Sequence, residues 1–323
     1  MEDGRRRPSA PPFPLTFYVL RITHHVNPTD IQVVHNVPHA AAWGLPIAQY
    51  FYFTGLSAGT FVISTLGTVF GIEKYKAIAK YAASLAFILL IAAPTCLMLD
   101  LEQPLRFWHL FVWFNPKSVI SWGVWLLTIY PLACLVYAFL LFKGDARMAK
   151  IMGIVGVPLA LCVHGYTGFI FGVVKARAFW YSPLMPPYFL VSAFISGFGL
   201  MILFVMAKDR LLPDEPSGED VMWGLAGYLR WAIVVGLLFT FCNVLVLAAG
   251  GEDAALSVGV ALRDPLFIVG DLLLGYVLPL AVLCLPWTRR SPRWLAVAAV
   301  MTLVGVFWMR YTLVEIGQLI PLS

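Results

Sequence analysis

A histidine and a tyrosine stand two residues apart, as His164 and Tyr166, in the apolar stretch VHGYTGFIFGVVKARAFW, and the cations Lys175 and Arg177 follow. An imidazole and a phenol near the end of a hydrophobic segment suit proton-coupled chemistry at a membrane surface. Comparable side chains recur at the ends of other apolar runs. Gln49 and Tyr50 lie in AQYFYFTGLSAG, Asp100 and Arg106 in DLEQPLRFWHL, Asp271 in a later run, and Arg310 with Glu315 in the last one. Each has a plain structural reading. Tyr50 is an interfacial aromatic, Asp100 pairs with Arg106 at a helix end, His164 bonds a carbonyl, Tyr166 packs, and Arg310 pairs with Asp271 or Glu315. Polar groups inside a membrane are nonetheless functional-site candidates, because an unpaired charge there is costly.

The elements that must position them are hydrophobic. The 323 residues are 60% apolar and 12% charged, with a mean hydropathy of +0.83. Soluble domains average about 25% charged residues, so the expected class is an all-α, polytopic integral membrane protein. Apolar runs of about 20 residues, enough to cross a bilayer, recur eight times: 43–71, 77–99, 119–142, 151–174, 187–207, 221–249, 266–287 and 294–319. Helices are expected because each satisfies its own backbone in lipid. A long hydrophilic break, 208–220, separates the fifth and sixth runs and suggests two four-helix bundles, 43–186 and 187–323. Residues 1–42 read as an extended arm. Their basic cluster lacks the apolar core and cleavage site of a secretory leader.

Basic residues in the loops set the expected orientation. The loops after runs one, three, five and seven carry eleven (Lys74, Lys76, Lys80, Lys143, Arg147, Lys150, Lys208, Arg210, Arg289, Arg290, Arg293), and the opposite loops carry five (Arg106, Lys117, Lys175, Arg177, Arg263). The eleven should face the cytoplasm and both termini the outside. Counting Arg5, Arg6, Arg7 and Arg21 of the arm narrows the contrast to eleven against nine. In this frame Tyr50, Asp100, His164, Tyr166 and Arg177 share the outer depth, and Asp271, Arg310 and Glu315 lie in the outer half.

A quinone head group fits such a set. It is lipid-soluble, takes up two electrons and two protons, and presents carbonyls to donors such as Tyr and His, while a His–Asp relay connects it to water. Paired axial histidines for haem are missing from the apolar runs, where His164 stands alone. The five cysteines are scattered singly without metal-ligand spacing and read as small core hydrophobes.

The segments LMLDLEQPLRFWHLF, NPKSVISWGVWLL and HGYTGFIFGVVKARAFWYSPLMPPYFLVSAFISG, with the closing RYTLVEIGQLIPL, resemble the NrfD/PsrC family of polysulfide-reductase-type membrane subunits. The resemblance covers most of the chain from Trp43. It implies a haem-free, quinone-reactive anchor in a prokaryotic inner membrane. It also implies docking, on the periplasmic face, of a ferredoxin-like [4Fe-4S] subunit joined to a molybdenum or tungsten bis-pterin enzyme or a multihaem cytochrome. Menaquinone and ubiquinone both suit it. It would make Tyr166 the quinone-binding tyrosine of the fourth helix and place Tyr50 where the family carries a first-helix histidine. Asp100 and Arg106 would belong to the outer site or its docking surface. His164, Gln49 and Arg177 complete the candidate site, and Asp271, Arg310 and Glu315 form a candidate proton path. The competing readings are a secondary transporter or ion channel, which predicts inverted repeats, and a purely structural anchor.

Overall fold

The computed structural model describes residues 43–101, 103–288 and 290–319. Eight long helical segments follow in chain order: α1 Leu45–Thr68, α2 Lys76–Asp100, α3 Val119–Lys143, α4 Ala146–Gly172, α5 Met185–Leu211, α6 Glu219–Ala248, α7 Leu266–Cys284 and α8 Pro292–Leu319. α7 is π-helical over Leu266–Val277 and α-helical over Leu278–Cys284. The connections hold short turns at Glu73–Tyr75 and Pro104–Arg106, a four-residue helix His109–Val112 and a ten-residue helix Glu252–Ala261. No strand occurs among the described residues. Local chemistry marks several ends. Pro falls in the first turn of α1 and of α5, where its missing N–H costs nothing. Gly144 closes α3 at a φ of 78°, and Asp145 caps α4 by accepting from the Met148 N–H at 3.0 Å.

Among the described residues seven helices, α2 to α8, are long and apolar enough to cross a membrane, and the protein is a multi-pass membrane protein. The eighth expected span, α1, is equally helical over 24 residues, about 36 Å at about 1.5 Å per residue. It is less apolar, and its packing explains why. α1 touches α2, α4, α5 and α8, and sixteen of its residues are buried, among them Thr54, Ser57, Thr60, Ser64 and Thr65. Ser57 donates to Ala86 O across the contact with α2 at 2.8 Å, and Thr54 returns its proton to Tyr50 O at 2.9 Å. A helix enclosed by protein needs small residues more than lipid solubility. At its contact with α5, a Cβ on Gly59 would lie 2.2 Å from Ala193 O. By contrast, only 28% of the apolar window is buried in each of α2, α3 and α6, which leave most of their apolar surface exposed.

Further contacts run α2 to α3, α3 to α4, α4 to α5, α5 to α6, α5 to α8 and α7 to α8. The hydrophilic break is shorter than the sequence suggests, because α5 continues through Leu211. Lys208 is drawn in to donate to Glu215 O and, at 3.2 Å, to Ser217 Oγ. Near this basic end Lys74 also reaches Asp220 O. At the opposite, aromatic end Trp43 and Gln318 exchange two hydrogen bonds of 2.9 and 2.8 Å, and Trp180 donates to Leu313 O at 2.7 Å. The expectation of five core cysteines needs correction: Cys134 is buried, but Cys162 and Cys284 lie on exposed faces. A small apolar side chain is as well solvated by lipid as by a protein core.

Candidate functional site

The aromatic end holds the two phenols expected at the site. Tyr166 on α4 and Tyr50 on α1 are both buried. Tyr166 occupies space that a side chain on α3 would fill, since a Cβ on Gly123 would sit 1.9 Å from its Cζ. The two hydroxyls interact with one another, but in a geometry that leaves Tyr50 Oη without a hydrogen-bond partner. A buried, unpartnered donor costs about 1–3 kcal/mol. Gln49 is half-buried beside it.

The other expected members lie apart. Asp100 ends α2 half-buried, and Arg106 is exposed on the turn that follows. Among the described residues no hydrogen bond or ion pair joins either to the phenols or to each other. Arg177 is half-buried, donates to Gln318 O at 3.2 Å and lies 6.0 Å from the Trp180 ring, so it helps tie the end of α4 to the end of α8.

His164 points away from Tyr166, as the 200° between positions two apart on a helix requires. It is fully buried, and its ring rests on α1, where a Cβ on Gly55 would be 2.8 Å from Cε1. Its Nε2 lies 3.0 Å from Arg310 Nη2 and 3.0 Å from Phe189 O, and its Nδ1 lies 3.4 Å from Thr167 Oγ1. Thr167 gives its own proton to His164 O at 2.6 Å, so its oxygen accepts from Nδ1–H. The consistent assignment is a neutral imidazole with Nδ1 protonated and Nε2 accepting from the guanidinium. Arg310 Nη2 also donates to Phe189 O at 3.3 Å and to Ser192 Oγ, and the guanidinium stacks 3.7 Å over the Phe189 ring.

The expected ion pair of Arg310 with Asp271 or Glu315 is not made. Arg310 is drawn instead toward α4 and α5, and its Nε and Nη1 have no hydrogen-bond partner. Asp271, 1% exposed on α7, feels the Arg310 charge from beyond ion-pair distance, and its Oδ1 is likewise unpartnered. Glu315, five residues after Arg310 on α8, is half-buried beside Tyr311. Tyr188 and Tyr276 surround Asp271, and the Tyr276 hydroxyl has no partner. Asp271 lines a pocket with Tyr188, Thr240, Asn243, Met309 and Thr312, walled by apolar residues including Val258 and Phe267.

Sequence reasoning passed over Tyr188, Ser192, Tyr276 and the Phe189 carbonyl. One signal was present: Tyr188, Ser192 and Ser196 recur every four residues and mark a polar stripe on an otherwise apolar helix. Backbone carbonyls carry no such signal.

The comparison with known families decides the affiliation. The model of the family described as "Polysulphide reductase, NrfD" matches residues 33–321. The chain belongs to the NrfD family. Among curated NrfD-like relatives, it is 29% identical to the C subunit of selenate reductase from Mesobacillus selenatarsenatis, over 87% of this chain and 75% of that protein. It is 29% identical to the Hdr-like menaquinol oxidoreductase integral membrane subunit of Archaeoglobus fulgidus, over 95% and 77%. It is 27% identical to the protein NrfD of Escherichia coli, over 86% and 95%.

Proposed function

We propose that this chain is the haem-free membrane anchor and quinone-reactive subunit of a multi-subunit respiratory oxidoreductase. The observation that carries the reading is the unpartnered, buried hydroxyl of Tyr50 beside Tyr166, in a protein whose relatives include a menaquinol oxidoreductase subunit. Two phenols on facing helices offer donors to a ring carbonyl, and an orphaned donor is the group a bound acceptor would satisfy. A quinol brings two electrons and two protons. The residues of this chain hold its head group, exclude water and accept or pass the protons. Tyr166 and Tyr50 are the hydrogen-bonding pair, with Gln49 beside Tyr50. Asp100, Arg106 and Arg177 line the way to the outer face and to its docking surface. His164, neutral and held by Arg310, is a positioning residue behind α4. Its ring nitrogens lie against Arg310 and Thr167.

In this proposal both termini lie on the periplasmic side of a prokaryotic inner membrane. A [4Fe-4S] subunit docks on that face and passes electrons to or from a molybdenum or tungsten bis-pterin enzyme. The eight helices act as two groups of four, with quinone chemistry in the first and a proton path through Asp271, Arg310 and Glu315 in the second. The test uses the purified complex in vesicles with a water-soluble quinol analogue. Tyr166→Phe should lower quinol-linked turnover at least about tenfold while the complex stays assembled. Unchanged turnover would leave a structural anchor as the better reading. In the same vesicles Asp271→Asn should lower proton uptake, and an unaltered uptake would remove the second group from the path.

A further inference from the structure

The buried polar groups around Asp271 leave a specific gap. Asp271 Oδ1 is an acceptor without a donor, while Arg310 Nε, Arg310 Nη1 and the Tyr276 hydroxyl are donors without acceptors. All are shut away from the surface, on α7 and α8. Asp271 and Arg310 interact electrostatically but stand beyond ion-pair distance. Buried polar groups left unpaired in this way are where ordered water is found when there is room for it. A buried water needs a polar cavity of its own size and two to four partners.

Asp271 lines a small pocket whose polar members are Asp271, Tyr188, Thr240, Asn243 and Thr312 within otherwise apolar walls. It is sized for water rather than for a ring-shaped ligand. Thr312 has given its proton to Trp308 O, so its oxygen remains an acceptor, while the Thr240 hydroxyl bonds Gly236 O and the Tyr188 hydroxyl. Asn243 Oδ1 accepts from Ser182 at 2.8 Å, which leaves the amide N–H₂ as a donor. The outermost lining residue is Leu262, 49% exposed, next to Arg263 and Asp264 in the connection from the Glu252–Ala261 helix to α7. The apolar walls Leu247, Val258, Phe267 and Leu313 belong to the same cluster as Trp43 and Trp180, so the mouth opens toward the aromatic end.

We propose that this pocket is a water inlet from the aromatic end that brings water to Asp271. Water held there meets Asp271, the Thr312 oxygen and the Asn243 amide, while Arg310 and Tyr276 lie outside the lining. The inlet makes Asp271 reachable by solvent protons from one side only, by way of Leu262. The inference is independent of quinone binding at Tyr50 and Tyr166.

Hydroxyl-radical footprinting of the intact purified complex in lipid nanodiscs tests it, because radicals formed from bound water oxidise the side chains beside it. Met309 and Met201 are equally buried, at 1% and 0% exposure, but Met309 lines the pocket. Met309 and Tyr188 should be oxidised several-fold faster than Met201, with the exposed Met148 as the upper reference. Equal, low oxidation of Met309 and Met201 means a dry core and overturns the proposal. Leu262→Trp, or Val258→Phe if the first does not assemble, should bring Met309 down toward Met201 and leave Met148 unchanged. Persistence of Met309 oxidation in a folded, plugged variant overturns the inlet.

Discussion

At the residue scale, Arg310 is the side chain on which the interior turns. One guanidinium joins α8 to α4 through His164 and to α5 through Phe189 O and Ser192, and its charge also acts on Asp271 on α7. Removing the guanidinium leaves the His164 ring, Ser192 Oγ and Phe189 O short of a buried donor, at about 1–3 kcal/mol for each group left unsatisfied. Arg310→Met should therefore destabilise the protein by about that amount in chemical denaturation of the purified complex. Adding Asp271→Asn should recover part of the loss, because coupled sites are not additive. Strict additivity of the two changes would show that the charges do not sense one another. The helical phase that turns His164 away from Tyr166 was readable in the sequence from their two-residue spacing. The partners of His164 were not, since Arg310 lies 146 positions away.

At the element scale, α1 is the helix that a hydropathy argument describes least well and the packing describes best. Its small and hydroxylic residues lower its apolarity, and the same residues let α5 approach until Gly59 and Ala193 nearly touch. Gly59→Val should separate α1 from α5 and lower stability by at least about 1–3 kcal/mol, as overpacking does, read as a lower midpoint in thermal unfolding. An unchanged midpoint would mean that the α1–α5 contact tolerates the extra volume. α7 departs from expectation in another way. Its first twelve residues are π-helical, a conformation often found at functional sites, and Asp271 stands in their midst. Nothing in the run LFIVGDLLLGYV distinguishes it from an ordinary apolar helix in advance.

At the scale of the whole molecule, one end gathers aromatic rings and the other gathers lysines. Trp43, Phe171 and Trp180 stack and edge against one another where α1 starts and α4 ends, and Lys74, Lys80 and Lys208 crowd the opposite end. With basic loops held in the cytoplasm, a membrane-impermeant maleimide should label Arg263→Cys from the periplasmic side of intact cells. It should label Lys143→Cys only after the inner membrane is opened. The reverse pattern would invert the proposed orientation and move the docking face with it.

Length, apolarity and loop charge were enough to establish helices that cross a membrane, their order, and which polar residues they carry. Each of these properties belongs to a single segment: a run of apolar side chains must close its own hydrogen bonds in lipid wherever its neighbours lie. The partners of the polar residues belong to pairs of segments, and came only with the packed chain. Hydropathy places Asp271, Arg310 and His164 inside the membrane, but whether Arg310 meets a carboxylate or an imidazole depends on how α8 is rotated and on how closely α1, α4 and α5 approach. Glycine contacts at Gly55 and Gly59 set that approach. A carboxylate and a guanidinium in the same apolar interior therefore stand apart, each with polar atoms left unpartnered.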